Sequence, residues 1–171
     1  MNIEEVEVLS LQESVTMFVQ DYSRQGEAGV PRQRGVSQLG RMRRKGQWHR
    51  FLKRLAGQAT RLQDLASDLQ HMEVKGRYAT GMRSVPIDRI RGSEGRSQDF
   101  DSDFYPLTSQ TDERWISVAA AAQAGVSLPP VDLIQVGDIY YVRDGHHRVS
   151  VARALGQEAI EAEVTVWETG E

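Results

Sequence analysis

Apolar residues recur at helical spacing at Leu11, Val15, Phe18, Val19 and Tyr22, which predicts an amphipathic helix from Leu11 to about Ser23. Ser10 and Glu13 stand three apart at its start, a pattern in which hydroxyl and carboxylate satisfy each other's free backbone donors. Gly26, Gly29, Pro31 and Gly35 then break the rhythm, so Gln25 to Val36 reads as a linker. A longer helical pattern follows from Ser37 to about Met72, carried by Leu39, Met42, Trp48, Phe51, Leu52, Leu55, Leu62, Leu65 and Leu69. Gly46 and Gly57 each weaken it by about 1 kcal/mol relative to alanine, which predicts two helices or one bent helix.

After Gly76 the pattern changes to short β-prone runs punctuated by Gly and Pro. The stretch from Lys75 to Met82 is therefore the expected boundary between a helical N-terminal region (1–76) and a second domain (82–171). Val85 to Ile90 predicts a short strand, followed by a Gly-containing loop from Arg91 to Arg96 and a polar but ordered loop from Ser97 to Gln110. Thr111 to Ala124 predicts a helix, with Asp112 and Glu113 favouring the dipole in its first turn and Gly125 stopping it. Leu128-Pro129-Pro130 forces extended backbone into a strand over Val131 to Val136. Gly137-Asp138 turns the chain into a second strand, Ile139 to Val142. A helix of about ten residues starts near His146 and ends at Gly156, and Ala159 to Trp167 alternates as a closing strand. Alternating helix and strand define a small α/β (α+β) domain.

Composition removes several chemistries. Cysteine is absent, which excludes disulfides, thiolate metal sites and cysteine nucleophiles. No apolar run approaches the roughly 20 residues that span a bilayer, and the acidic start Met1 to Glu5 is unlike a signal peptide. The expected location is cytoplasmic, with no membrane partner. Charge is unevenly spread: from Ala28 to Gln63 there is no acidic residue, and ten cations (Arg32, Arg34, Arg41, Arg43, Arg44, Lys45, Arg50, Lys53, Arg54 and Arg61) stand there. Against a net charge of -3, the rest of the chain carries -13, being -3 less +10.

Asp144-Gly145-His146-His147-Arg148 lies where a strand hands over to a helix. Glycine lets the backbone turn close to a ligand, the first helical N–H groups point outward, and the dipole adds positive potential there. Phosphate suits such a place. Arg148 could fork onto its oxygens, and His146 or His147 could donate further hydrogen bonds. The structural alternative is that Asp144 caps the helix, Gly145 merely turns, and the remaining side chains are solvated. Zinc is disfavoured, because adjacent histidines on a helix diverge by about 100° and no His-x3-His pair is present. Ser150 lies inside the helix, on no nucleophile turn.

Taken in order, Val85 to Arg91, Pro129 to Ile134, Tyr140 to Val142, Asp144 to Arg148 and Ala152 to Gly156 resemble the ParB/sulfiredoxin superfamily. The resemblance covers roughly half the chain. It implies a small mixed-sheet nucleotide-binding domain, preceded here by a helical extension, with a phosphate site at the Asp144 to Arg148 turn. Sulfiredoxins carry Gly-Cys-His-Arg at this turn, whereas His146 stands in place of the cysteine here. Partition ParB proteins bind CTP through an arginine-rich turn this chain lacks, and carry a helix-turn-helix domain after it. Free-serine kinases of the superfamily look nearer, having an Asp-Gly-His-His-Arg turn and, shortly after the first strand, a glutamate that acts as base. Glu94 falls where that glutamate is expected, or else is a soluble loop residue, and Arg91 and Arg96 of the same loop could meet phosphate or only water.

The resemblance implies ATP, ADP or CTP as ligand, with Mg2+. Asp99, Asp101 and Asp103 alternate in a loop and are candidates to hold that ion, or else are loop residues beside packed Phe100 and Phe104. In the basic region Arg41, Arg43, Arg44, Lys45, Arg50, Lys53 and Arg54 could contact DNA or RNA phosphates, with Trp48 and Phe51 available to stack. Alternatively this region covers the acidic C-terminal half, in cis or in a homodimer, with Trp48, Phe51, Leu52 and Leu55 as a buried stripe. Two functional readings follow: a nucleotide-binding protein using Glu94 as base for phosphoryl transfer or hydrolysis, or a non-enzymatic nucleotide-responsive module that engages nucleic acid.

Overall fold

The computed structural model describes residues 29–57, 60–108 and 112–170, so the helix expected from Leu11 to Ser23 lies outside the described residues. Helix α1 runs unbroken over Gly29–Leu55. The expected linker is thus helical from Gly29 onward, with Pro31 in the first turn, where its missing N–H has no intrahelical partner to lose. The two interior glycines that predicted a break are instead points of close approach. A Cβ on Gly35 would lie 3.1 Å from the Ile116 carbonyl oxygen, and one on Gly46 would lie 2.8 Å from the Tyr105 side chain. Packing against these neighbours offsets the propensity cost of both.

The helical pattern expected to reach Met72 ends at Leu55. Leu62 enters the core, Gln63–Asp64 forms the two-residue strand β1, and Leu65–Asp68 is a single turn, α2. The Asp64 carboxylate caps that turn by accepting the Ser67 N–H at 3.2 Å. A 3-10 turn, Leu69–His71, leads into β2, Glu73–Pro86. This strand passes through the stretch expected to divide two domains, pairing antiparallel with β6, Ala159–Gly170, over its length. After a 3-10 turn at Ile87–Arg89, strand β3 occupies Ile90–Ser93, where a loop was expected. Gly92 belongs in that strand because the Tyr141 ring takes the space a side chain would fill, 2.2 Å from a Cβ built there. The later elements follow expectation: α3 at Asp112–Gln123, β4 at Val131–Val136, β5 at Ile139–Asp144 and α4 at His146–Ala154.

The six strands form one mixed sheet in the order β1-β3-β5-β4-β6-β2. Pairs β1–β3, β3–β5 and β4–β6 are parallel, and β4–β5 and β2–β6 antiparallel. Alternation sends Leu133, Val142 and Val164 to one face, against Val149, Phe100 and Phe104, while Ile134, Tyr141 and Trp167 face Leu65 on the other. A further layer gathers Leu39 and Met42 of α1, fully buried Trp115 of α3 and Val151 of α4. The architecture is mixed α/β, as the alternating pattern predicted. The expected apolar stripe at the end of α1 is not buried: Phe51, Leu52 and Leu55 are exposed, because α3 meets the helix further upstream through Gly35, Leu39 and Met42.

Candidate functional site

Strands β3 and β5 run parallel, so their carboxyl ends lie side by side, with the Glu94 N–H donating to the Val142 carbonyl at 2.9 Å. Helix α4 starts immediately after β5, placing a helix N-terminus at those strand ends, where parallel sheets leave room for ligands. Gly145 makes the turn with φ +93°, and a Cβ there would meet Val131 Cγ1 at 2.6 Å. No side chain caps α4. The earliest backbone bond of the helix runs from the Val149 N–H to the Gly145 carbonyl, which leaves the preceding N–H groups without helical acceptors.

Both histidines are buried against Phe100. The His146 ring stacks at 5.9 Å between centroids, and its Nε2 lies 2.7 Å from Ser93 Oγ, which also accepts the Arg96 N–H at 3.0 Å. His147 meets Phe100 edge-on at 5.5 Å, is only 6% exposed, and its Nε2 has no hydrogen-bond partner. Burial, reinforced by the positive charge of Arg96, lowers each histidine to about 4. At neutral pH both are therefore uncharged rings, able to exchange hydrogen bonds but adding no positive charge.

Arg148 departs from expectation. Its guanidinium donates to the carbonyls of Pro129, at 2.7 Å, and Pro130, and pairs with the Asp144 carboxylate. Burial makes such acceptors necessary, so the fork expected on phosphate ties the Pro129-Pro130 segment to the turn instead. Arg96 is half-exposed, pairs with Asp99 at 2.7 Å, and stands near enough to depress both histidines. Arg114, exposed in the first turn of α3, depresses His147 and Arg148. Sequence reasoning missed it because no local signal announces that α3 begins beside the turn. Arg91 instead reaches back from the start of β3 to the Asp88 carbonyl at 3.4 Å.

Glu94 stands at the end of β3, half-exposed, with its carboxylate accepting from Arg143 Nε at 3.0 Å. The same Arg143 approaches Asp132 at 3.6 Å. Burial raises the Asp132 carboxyl; Arg143 opposes this, while Glu163, Asp144 and Glu94 add to it. Ser93, Asp132 and Arg143 were also passed over in the sequence, because only strand pairing brings them to the turn.

The three alternating aspartates do not form a cation cage. Asp99 binds Arg96, Asp101 is buried and accepts the N–H groups of Asp103 and Tyr105, and Asp103 pairs with Lys53 at 2.8 Å. Among the described residues no group of three or more His, Asp or Glu is placed to hold a metal ion. Phe100 and Phe104 between them are fully buried. Alternating positions diverge here because the loop winds around these rings, with Phe104 at φ +60°.

The basic region divides. Arg43 pairs with Asp112 at 2.7 Å and Lys53 with Asp103, seating α1 in cis. Arg41, Arg44 and Lys45 are exposed, and the side chains of Arg50, Arg54 and Trp48 lie outside the described residues. Arg41 and Lys45 border a cleft of about 770 Å³ whose other walls include Asp88, Tyr105, Arg153 and Glu158. Among the described residues no helix is long and apolar enough to cross a membrane.

No family model and no curated protein matches the chain. Among solved structures it is similar to sulfiredoxin from Arabidopsis thaliana, with 23% identity, 48% of this chain and 82% of that chain covered, and a TM-score of 0.34.

Proposed function

We propose that the start of α4 binds the phosphate groups of a nucleotide. The observation that carries this reading is an uncapped, glycine-turned helix N-terminus beside which the buried His147 Nε2 has no partner. Backbone N–H groups at His146, His147 and Arg148 would hold phosphate oxygens, and the neutral His147 ring would donate one more hydrogen bond. Half-exposed Arg96 and exposed Arg114 supply the positive charge that the histidines and Arg148 do not. The likeness of the Asp144 to Arg148 turn to that of free-serine kinases extends the reading from a simple anion to a nucleotide. Glu94, paired with Arg143, is the candidate proton acceptor for transfer or hydrolysis. Asp99, Asp101 and Asp103, each engaged within the chain, do not fit Mg2+.

Calorimetric titration with ATP, ADP, CTP and inorganic phosphate tests the site. Binding of a nucleotide, weakened about tenfold in an Arg96→Gln, Arg114→Gln double variant, is expected from the loss of two charge-assisted contacts. No binding of any of the four overturns the proposal. If nucleotide is consumed, Glu94→Gln should bind it without turnover; unchanged turnover removes Glu94 from the chemistry.

A further inference from the structure

Helix α1 has two sides that differ in kind. At 3.6 residues per turn, Gly35, Leu39, Met42 and Gly46 fall within an arc of about 60°. All four are buried, against α3 and Tyr105. Arg34, Arg41, Arg44 and Lys45 fall within an arc of about 100° on the other side. All four are exposed. Among the described residues no ion pair joins any of them to a carboxylate, whereas Arg43 and Lys53, at other angles, are the cations that seat the helix. From Arg34 to Lys45 the cationic stripe runs about 16 Å along the axis. Exposed Phe51, Leu52 and Leu55 continue the same side toward the end of the helix.

We propose that this outward side of α1 docks the sugar–phosphate backbone of a nucleic-acid strand. Charge complementarity is the argument: the helix contains no acidic residue, and its outward cations are not used by the fold. Each cation placed on a phosphate releases condensed counterions. A lipid surface fits less well, because an interfacial helix needs an apolar band along its length with cations on the opposite face. Here cations and apolar residues share one side and succeed one another. Arg41 and Lys45 also border a cleft whose other lining includes Asp88, Asp103 and Glu158, and these carboxylates would repel a polyanion from the cleft and leave it the solvent side of the helix. None of these residues belongs to the turn at α4, so the two sites stand or fall separately.

Fluorescence anisotropy of labelled DNA and RNA single strands of about 20 nucleotides, and of a duplex, across a salt series tests the proposal. With four phosphate contacts, log affinity for a single strand should fall against log salt with a slope of about -3, a roughly 50-fold loss between about 50 and 200 mM salt. An Arg41→Gln, Arg44→Gln, Lys45→Gln variant should fold with unchanged circular dichroism and melting, bind at least about tenfold more weakly, and show a slope near -0.7. Absence of binding at the lowest salt, binding indifferent to salt, or a variant that binds like the parent overturns the proposal. So does binding to phosphatidylserine vesicles without binding to any strand.

Discussion

The Asp144 to Arg148 turn and the Asp99 to Asp103 loop are both dense in polar side chains, and the fold treats them in opposite ways. In the loop each carboxylate is consumed within the chain: by Arg96, by two backbone N–H groups, and by Lys53. At the turn Asp144 and Arg148 are likewise consumed, yet the helix start is uncapped and the His147 Nε2 is without a partner. Polar density in a sequence therefore does not mark a site. The turn differs in combining an uncapped helix start with an unpartnered histidine nitrogen.

The largest test of this contrast is acid. His146 and His147 are lowered to about 4 by burial and by Arg96, below the unfolded value of 6.5. Between these values the unfolded chain binds more protons than the folded one, so stability is complete above about pH 6.5 and falls as pH drops toward 4. The loss is on the order of 3 kcal/mol for each histidine. Urea unfolding across this range checks it; a flat profile would mean that the rings are hydrated and the turn is open.

Next is Arg148. If its fork belongs to the fold, Arg148→Met leaves the Pro129 and Pro130 carbonyls unsatisfied and costs about 2 kcal/mol. Arg96→Gln, by contrast, should change stability by no more than about 0.5 kcal/mol while weakening nucleotide binding. Reversal of the two outcomes would restore Arg148 as the phosphate ligand. The smallest effect falls on the loop: Asp99→Asn removes one part-exposed pair, and unfolding should shift by less than about 1 kcal/mol. A larger shift, or stabilisation by Mg2+ that the substitution abolishes, would give the loop a ligand after all.

Much of the sheet was legible because periodicity and local turn chemistry agree there. Val131 to Val136 is bounded by Pro130 and by Gly137 at φ +58°, and α3 stops before Gly125 at φ +73°. The errors fall where tertiary contact overrides local preference. Gly35 and Gly46 were read as breakers and are contact points, and Gly92 was read as loop while its strand yields to the Tyr141 ring. At the site, Gly145 and the two histidines could be found from the strand-to-helix junction. Arg114, Arg143, Asp132 and Ser93 could not, because strand order and helix placement, not sequence spacing, bring them near. The same limit explains Arg148: its carbonyl acceptors lie 18 and 19 residues upstream.

Strand β6 lies between β4 and β2, joined to β4 in parallel and to β2 antiparallel. Strand β2 precedes most of the sheet in the chain but, among the described residues, pairs only with this much later segment. Its backbone donors must therefore wait, while the chain emerges and the inner strands form, for a partner from residues 159–170. Closing that long loop is entropically slow, which makes docking of β2 a late folding event. Until it happens the unpaired strand is the surface most exposed to pairing with another chain.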